Sequence, residues 1–273
     1  MNYRHHFHAG SLADIVKHIT LSHLLKRLCQ KPAPYCVMDT HAAAGLYDLR
    51  APDAAKTGEA EAGIFAYQKL PPVPAHEPFN DILNAVGATT YPGSPAIIQH
   101  YLRDADKLIA IEKHPEEALK LQSTLGHDPR IKIQTRDAWN AMRALIPTPE
   151  KRLLVFIDPP YEQADENEQA FKAIKTAHAK MSHAMFALWY PLKDAVETGV
   201  LQERFASCGI KKILRADVPF SNKTLPNRMN GSGMIIINPP FEIEAELRAA
   251  YDGLLPLCAE GTKPAMIDWL AGE

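Results

Sequence analysis

The group of residues best suited to chemistry is Asp158-Pro159-Pro160-Tyr161. Consecutive prolines fix the backbone and carry no N–H, so this turn can direct acceptor atoms towards a substrate. The Asp158 carboxylate and the Pro159 carbonyl can accept the two N–H groups of an exocyclic amine, and Asp158 can receive the proton that the amine loses. The Tyr161 ring can stack on a planar base. The motif therefore predicts catalysis at an amino nitrogen of a nucleic-acid base.

A second tetrapeptide of the same pattern, Asn-Pro-Pro-Phe, occupies residues 238–241. Both copies follow an apolar run, so the pattern alone does not separate them. The first copy follows the fourth predicted strand and lies near the centre of a parallel sheet, whereas the second ends the last strand, towards an edge. We therefore assign the chemistry to Asp158 and a structural turn to Asn238.

Three further acids follow earlier apolar runs, at Asp39, Glu112 and Asp137. Small residues continue from Asp39 to Gly45 and would let a nucleotide approach the backbone. Asp39 is suited to the ammonium group of methionine, Glu112 to two ribose hydroxyls and Asp137 to an adenine amino group. Together these groups make up S-adenosylmethionine. The set predicts this cofactor, with Asp158 at the next strand end.

Apolar runs that alternate with helical patterns predict the elements that hold these acids. A capped helix is expected over residues 11–30, and another begins at Ser94 as its cap with Pro95 at its first position. Strands are expected at Tyr35–Asp39, Lys107–Glu112, Ile131–Thr135, Leu153–Ile157, Met185–Trp189, Ile210–Arg215 and Met234–Ile237. The pattern predicts an α/β, doubly wound, mainly parallel sheet of the Rossmann-like, seven-stranded S-adenosylmethionine-dependent methyltransferase fold, with the last two strands as a hairpin closing one edge.

The proline-rich region 46–95 interrupts this alternation and contains two weakly helical stretches, near 59–70 and 79–86. We interpret it as a small helical subdomain inserted into a single methyltransferase domain that covers residues 1–273. At 273 residues, the chain is long enough for one such domain with a well-buried core.

Composition is that of an ordinary globular protein, with 46% hydrophobic and 23% charged residues and a formal net charge of −2. Neither a membrane-spanning run nor a secretory signal is recognisable, so we expect a cytoplasmic protein with no membrane partner. The four cysteines are widely spaced and are expected to be reduced thiols. Basic residues concentrate in 1–30 and 207–233, which gives mild support for a nucleic-acid partner despite the overall charge.

Histidines are concentrated near the N-terminus, at His5, His6, His8, His18 and His23. The spacing of His6 and His8 occurs among hydrolase metal ligands, but a partnering set of cysteines or carboxylates is missing. We therefore expect no metal. Contacts with RNA phosphates or bases are the better use for Tyr3, Arg4, His5 and His8, and the basic loop around Lys223 is a second candidate contact.

Several motifs together resemble the bacterial 23S rRNA adenine-N6 methyltransferases of the RlmJ family, from Tyr3 to at least Pro240. They are Tyr3-Arg4-His5, Phe7-His8-Ala9-Gly10, Ala13-Asp14, Lys17-His18, Asp39-Thr40-His41-Ala42, Tyr91-Pro92-Gly93-Ser94-Pro95, Asp158-Pro159-Pro160-Tyr161, Leu188-Trp189-Tyr190-Pro191 and Gly231-Ser232-Gly233-Met234. The resemblance implies the fold given above, S-adenosylmethionine as methyl donor, and one adenine of 23S rRNA as acceptor. The RNA would be free or part of an assembling large subunit, and no obligate protein partner is implied.

The resemblance also implies roles for individual residues. Asp158 would accept the proton and Tyr3 would contact the RNA, and Lys17 is expected to share the pocket of its neighbour His18. The cofactor contacts it implies are His18, His41, Ser94, Glu112, Asp137 and Ala138. We expect Lys17, Asp39 and Asp158 to contact the cofactor as well. Ala43 and Ala138 stand where the family pattern usually has glycine, so an added methyl group could crowd the cofactor slightly without removing a functional group.

Three other functions remain open at this stage. DNA adenine or protein glutamine-amide methylation would use the same Asp/Asn-Pro-Pro-Tyr chemistry, and the resemblance alone separates them from RNA methylation. A histidine-metal hydrolase would need zinc or manganese. A catalytically silent RNA-binding module would bind RNA without S-adenosylmethionine.

Overall fold

The computed structural model describes residues 9–51, 58–222 and 229–272. In the described residues the strands are β1 (Cys36–Asp39), β2 (Leu46–Asp48), β3 (Thr90–Pro92), β4 (Lys107–Glu112), β5 (Ile131–Thr135), β6 (Leu153–Ile157), β7 (Met185–Pro191), β8 (Ile213–Pro219), β9 (Gly231–Ile237) and β10 (Met266–Ala271). The helices are α1 (Leu12–Cys29), α2 (Glu77–Val86), α3 (Ser94–Tyr101), α4 (Pro115–Leu125), α5 (Ala138–Leu145), α6 (Glu166–Lys180), α7 (Ala195–Ser207) and α8 (Ile243–Asp252).

The central sheet has eight strands in the order β10-β8-β9-β7-β6-β1-β4-β5. The five neighbouring strands β7, β6, β1, β4 and β5 run parallel. On the other side of β7 each pair is antiparallel: β7 with β9, β9 with β8, and β8 with β10. The carboxyl ends of β1, β4, β5, β6 and β7 therefore meet at one edge of the sheet, where ligands bind in folds of this kind. The predicted doubly wound, mainly parallel architecture is confirmed.

The hairpin of β8 and β9 forms as predicted, but it does not close the sheet. β10 pairs outside β8, so the sheet has one strand more than expected and β9 is the third strand from that side. β8 begins at Ile213 rather than Ile210 because Gly209 and Lys212 both adopt positive φ angles, which are incompatible with an extended strand. Residues 238–241 follow the third of eight strands counted from one side, so they lie towards that side of the sheet as predicted.

Helix α1 lies against the sheet and is buried by α2, α3 and α8 on its other sides. The Ser11 side chain caps it by accepting a hydrogen bond from the Asp14 N–H. Because the helix is covered almost all round, its polar side chains are buried as well, including Asp14, Lys17 and His18. Buried charged groups are costly unless they are paired, so this helix is a candidate carrier of functional residues.

Between β1 and α3 the chain forms β2, a π-helical turn at Glu61–Phe65, α2 and β3, and β2 and β3 pair antiparallel. Ile64, Phe79 and Tyr91 from this region share one hydrophobic core with α1. Gly63 must be glycine because a Cβ there would lie 2.0 Å from the Gly10 carbonyl oxygen. Whether residues 46–95 act as a separate subdomain stays a prediction.

Cys29, Cys36, Cys208 and Cys258 are free thiols. Among the described residues, no helix has the length and apolar character needed to cross a membrane.

Candidate active site

A cleft of about 400 Å³ opens at the carboxyl ends of the parallel strands, between those ends and α1. Most of the predicted site residues line it. They are Lys17, His18, His41, Ser94, Glu112, Asp137, Ala138, Asp158, Pro159 and Tyr161. The fold thus brings together side chains that are up to 144 positions apart, Lys17 and Tyr161 being the extremes.

Asp39 lies beneath the cleft at the end of β1 and is fully buried. Neither of its carboxylate oxygens has a well-aligned hydrogen-bond partner among the described residues. Burial raises the pKa of Asp39 from 3.8 to about 7, although the nearby Ser94 hydroxyl and His41 N–H act to lower it. A buried, unpartnered carboxylate is costly, so this group is suited to a cationic ligand.

The loop after β1 carries His41 and Ala43 into the cleft wall. Burial lowers the pKa of His41 to about 4, so its imidazole is neutral near pH 7. The φ angle of Ala43 is 49°, in the left-handed region where glycine carries no penalty. A glycine at position 43 would adopt this conformation without that penalty.

Glu112, at the end of β4, receives two backbone hydrogen bonds. Its Oε2 accepts the Ala43 N–H at 2.8 Å and its Oε1 accepts the His114 N–H at 2.7 Å. The carboxylate therefore ties the loop after β1 to the loop after β4. Burial raises the pKa of Glu112, and each oxygen keeps a second lone pair for a ligand hydroxyl.

Asp137 caps α5, because its Oδ1 accepts the Asn140 N–H at 3.1 Å. Its Oδ2 lies 3.5 Å from the Lys113 Nζ. Ala138 is the first residue of α5 and is buried in the cleft wall. The predicted adenine-binding acid is thus held rigidly by the helix that it starts.

Ser94 is the first residue of α3, whose N-cap is Gly93, so the prediction of Ser94 as the cap was wrong. The Ser94 hydroxyl is directed instead towards Asp39, whose pKa it lowers. Nearby, the Nδ1 of His18 and the Tyr91 hydroxyl form a buried hydrogen bond of 2.8 Å.

Asp158 ends β6 and faces α1. Its Oδ2 accepts a hydrogen bond from the Lys17 Nζ at 2.6 Å, and the same Nζ lies 2.7 Å from the Asp14 Oδ1. Lys17 and Asp14 are almost fully buried, whereas the Asp158 side chain is 13% exposed. Among the described residues, the Asp158 Oδ1 has no hydrogen-bond partner. One cation thus bridges two carboxylates, and one oxygen of Asp158 is left for a ligand.

Tyr161 is held against Trp189 on β7. The rings are 5.6 Å apart in an edge-to-face arrangement, and the Tyr161 hydroxyl donates to the Trp189 carbonyl oxygen at 2.9 Å. Burial raises the pKa of Tyr161 well above its ordinary value, so the hydroxyl remains a donor. The Lys17 Nζ lies 5.2 Å from the centre of the Trp189 ring.

Sequence reasoning missed Asp14 and Trp189 as members of this site, although both stand in motifs that resembled the family. A buried acid three residues before a buried lysine on one helix is the signal that could have found Asp14. The predicted RNA contacts Tyr3, Arg4, His5, His8 and Lys223 lie outside the described residues.

The two described histidines of the N-terminal group do not converge on a common point. His18 bonds Tyr91, whereas His23 bonds the Ala75 carbonyl and contacts Glu246. No group of three or more potential ligands in residues 9–51, 58–222 and 229–272 is arranged to hold a metal ion.

A family model described as Ribosomal RNA large subunit methyltransferase D, RlmJ, matches residues 32–271. The chain belongs to the RlmJ family. The chain is 32% identical to the protein named Ribosomal RNA large subunit methyltransferase J of Escherichia coli (strain K12), and 31% identical to the protein of that name from Haemophilus influenzae. Both alignments cover 100% of each chain.

Among solved structures, the crystal structure of protein LPL1258 from Legionella pneumophila is similar to this RlmJ-family chain. The TM-score is 0.87 at 31% identity, over 96% of this chain and 98% of that one. The family predicted from the motifs is therefore confirmed, and with it the methyltransferase fold. The cleft described above is the candidate active site of an RlmJ-family methyltransferase.

Proposed function

We propose that this chain transfers a methyl group from S-adenosylmethionine to N6 of an adenine in large-subunit ribosomal RNA. One observation carries the proposal most directly: Asp158 ends β6 inside the cleft, with Oδ2 held by Lys17 and Oδ1 available. Family membership supports ribosomal RNA as the substrate, and the proposal adds the adenine N6 and the donor.

The residues around Asp39 fit S-adenosylmethionine. The Asp39 carboxylate, which has no well-aligned hydrogen bond among the described residues, suits the ammonium group, and the backbone-anchored Glu112 suits the ribose hydroxyls. We assign Asp137 and Ala138 to the adenine of the cofactor. His18, His41 and Ser94 are assigned to the rest of the cleft wall around the cofactor. When bound, S-adenosylmethionine supplies an electrophilic methyl group.

Asp158 and Pro159 prepare the acceptor nitrogen. The lone pair of an adenine amino group is delocalised into the ring, and two acceptors on its N–H groups favour the pyramidal form that attacks. The Asp158 Oδ1 and the Pro159 carbonyl are the acceptors that we assign to this role. The Tyr161 ring, fixed by its hydroxyl, is assigned to stack on the base.

Lys17 keeps the two buried carboxylates in place and compensates their charge. Lys17 holds the Asp158 Oδ2 at 2.6 Å, so the Asp158 Oδ1 is the oxygen that we assign to the proton lost by the amine. Asp158 is therefore suited to receive that proton.

On the RNA side, Lys193 follows β7 and lines the cleft with an exposed side chain. The other lysines of the lining, Lys17 and Lys113, are each paired with a carboxylate, whereas Lys193 forms no ion pair within the described part of the chain. We assign it to a backbone phosphate of the RNA, together with the predicted contacts Tyr3, Arg4, His5, His8 and Lys223. We place the protein in the cytoplasm, where ribosomes assemble.

The test is incubation with labelled S-adenosylmethionine and undermethylated large-subunit rRNA, free or in ribosomal particles, followed by digestion to nucleosides. We expect label in N6-methyladenosine. Parallel incubations with duplex DNA and with a glutamine-containing protein acceptor test the two alternatives that share this chemistry. Absence of N6-methyladenosine from the RNA, with label in either other acceptor, would overturn the proposal.

A further inference from the structure

Two sequence motifs that the proposed chemistry leaves unexplained meet on neighbouring strands. Residues 188–191 lie on β7 and residues 231–234 on β9, which pair antiparallel. The Trp189 indole N–H donates a 2.8 Å hydrogen bond to the Ser232 Oγ. Ser232 is fully buried and Trp189 is 8% exposed, so water has little access to this bond.

The glycines on either side of Ser232 allow close packing on the opposite face of the sheet. A Cβ at Gly233 would lie 2.5 Å from the Tyr190 ring, and one at Gly231 would lie 2.5 Å from the Val218 carbonyl oxygen. Side chains alternate along a strand, so the side chain of Ser232 points to the face that carries Trp189, away from the face of the two glycines. The glycines allow close strand packing, while the serine provides a specific polar contact.

Trp189 in turn contacts two parts of the reacting centre. Its ring lies 5.2 Å from the Lys17 Nζ and 5.6 Å from the Tyr161 ring. The torsion that rotates an indole about its Cβ–Cγ bond has broad, roughly two-fold minima, so this torsion by itself specifies the ring orientation weakly. The bond to Ser232 selects the orientation in which both contacts exist.

We propose that Ser232 is a positioning residue for methyl transfer, acting through the Trp189 indole on Lys17 and Tyr161. It touches neither substrate nor cofactor. Its effect is on the geometry of the groups around Asp158, where small displacements are costly in rate. The inference rests on the proposed function, because the rate that it concerns is that of methyl transfer to RNA.

Ser232→Ala removes the acceptor and leaves a small, foldable side chain. We expect kcat to fall about fivefold, with KM for S-adenosylmethionine unchanged, because Ser232 lies outside the cleft wall. The matched control is Tyr251→Phe, which removes a buried hydroxyl bonded to Thr20 on another part of the core. It should lower thermal stability to a similar extent and leave kcat unchanged.

A double-mutant cycle with Trp189→Phe tests whether the effect passes through the indole. Phenylalanine has no N–H, so Ser232→Ala should cost nothing further in kcat when added to Trp189→Phe. An undiminished fivefold loss in that background would overturn the proposal. So would a Ser232→Ala enzyme with the kcat of the wild type.

A measurement without cofactor or RNA provides an independent readout. The chain has three tryptophans, and the indole ¹⁵N–¹H signal of Trp189 is identified by its loss in Trp189→Phe. In Ser232→Ala this signal should shift and exchange faster with water, while the signals of Trp139 and Trp269 stay in place. An unchanged signal would contradict the bond itself. If the Trp189 signal changes as expected in Ser232→Ala but the wild-type protein does not methylate RNA, the proposed function is wrong and the Trp189–Ser232 bond stands.

Discussion

The two Pro-Pro-aromatic tetrapeptides of this chain have nearly the same sequence and opposite surroundings. Asp158 ends a parallel strand and faces the cleft with one oxygen on Lys17. Asn238 follows β9, which runs antiparallel to β7, so it lies at the opposite end of the strands, away from the cleft. Its side-chain amide donates to the carbonyl oxygens of Ser182 and Ala184, at 2.8 and 2.7 Å.

The aromatic residues differ in the same way. The Tyr161 hydroxyl is anchored to β7 at the cleft, whereas Phe241 is 84% exposed. The Asn238 amide of the second tetrapeptide thus joins the end of β9 to the loop before β7. In the first tetrapeptide, the Asp158 Oδ1 is available as an acceptor. Strand direction, which the tetrapeptides themselves do not encode, determines which copy reaches the ligand edge.

Asp158→Ala should have the largest effect on transfer. We expect kcat to fall by roughly 10³-fold, because the variant lacks both the acceptor for the amine and the proton acceptor. Cofactor affinity, measured by calorimetry, should change little, since Asp39 and Glu112 are intact. An active Asp158→Ala enzyme would mean that the chemistry lies elsewhere in the cleft.

Lys17→Met should follow, with kcat lower by roughly 10²-fold. The substitution leaves Asp14 and Asp158 buried without their shared cation, which should also cost about 3–5 kcal/mol of unfolding free energy. Single-turnover rates and denaturant unfolding measure the two effects. The control Lys172→Met removes an exposed ion pair with Glu168 and should change stability by less than about 1 kcal/mol.

Asn238→Asp changes the second tetrapeptide to Asp-Pro-Pro-Phe, so that it begins with aspartate as the first tetrapeptide does. A carboxylate cannot donate to the Ser182 and Ala184 carbonyls, so we expect a loss of about 2–3 kcal/mol in unfolding free energy. The transfer rate per folded molecule should equal that of the wild type. Combined with Asp158→Ala, the substitution should restore no activity. Any restored transfer would show that position in the sheet matters less than we argue.

The smallest effect is expected at Lys193, on the rim of the cleft that we assign to RNA. Lys193→Ala should raise KM for RNA about fivefold and reduce the slope of log affinity against log salt by about 1, with kcat unchanged. Lys211→Ala, an exposed lysine near the second tetrapeptide, is the control and should leave both quantities unchanged. Equal effects of the two substitutions would contradict the assignment of RNA to the cleft rim at Lys193.

Much of the fold follows from apolar runs that end in an acid. The bounds predicted for β4, β5 and β6 are those observed, because each is a short buried or half-buried run next to a clear turn. β10 escaped prediction because Met266 and Trp269 are largely exposed on this edge strand and its apolar pattern is weak. Local conformation, at Gly209 and Lys212, shifted the start of β8.

The acids of the site were predictable because strand ends in parallel sheets converge. Their partners were not, since the contact between Lys17 and Asp158 joins residues 141 positions apart. The bond of Trp189 to Ser232 likewise depends on which strands are neighbours and in which register. A single sequence specifies which residues can react more readily than which residues hold them in place.

With the cofactor ammonium on the buried Asp39 carboxyl, as we propose, cofactor binding is a proton-linked equilibrium. With its pKa raised from 3.8 to about 7, the folded protein holds more protons than the unfolded chain between those values, so this group lowers stability as pH rises through that interval. A cationic ligand favours the ionised form and would release the remaining proton into solvent. The apparent binding enthalpy near pH 7 should therefore depend on the ionisation enthalpy of the buffer.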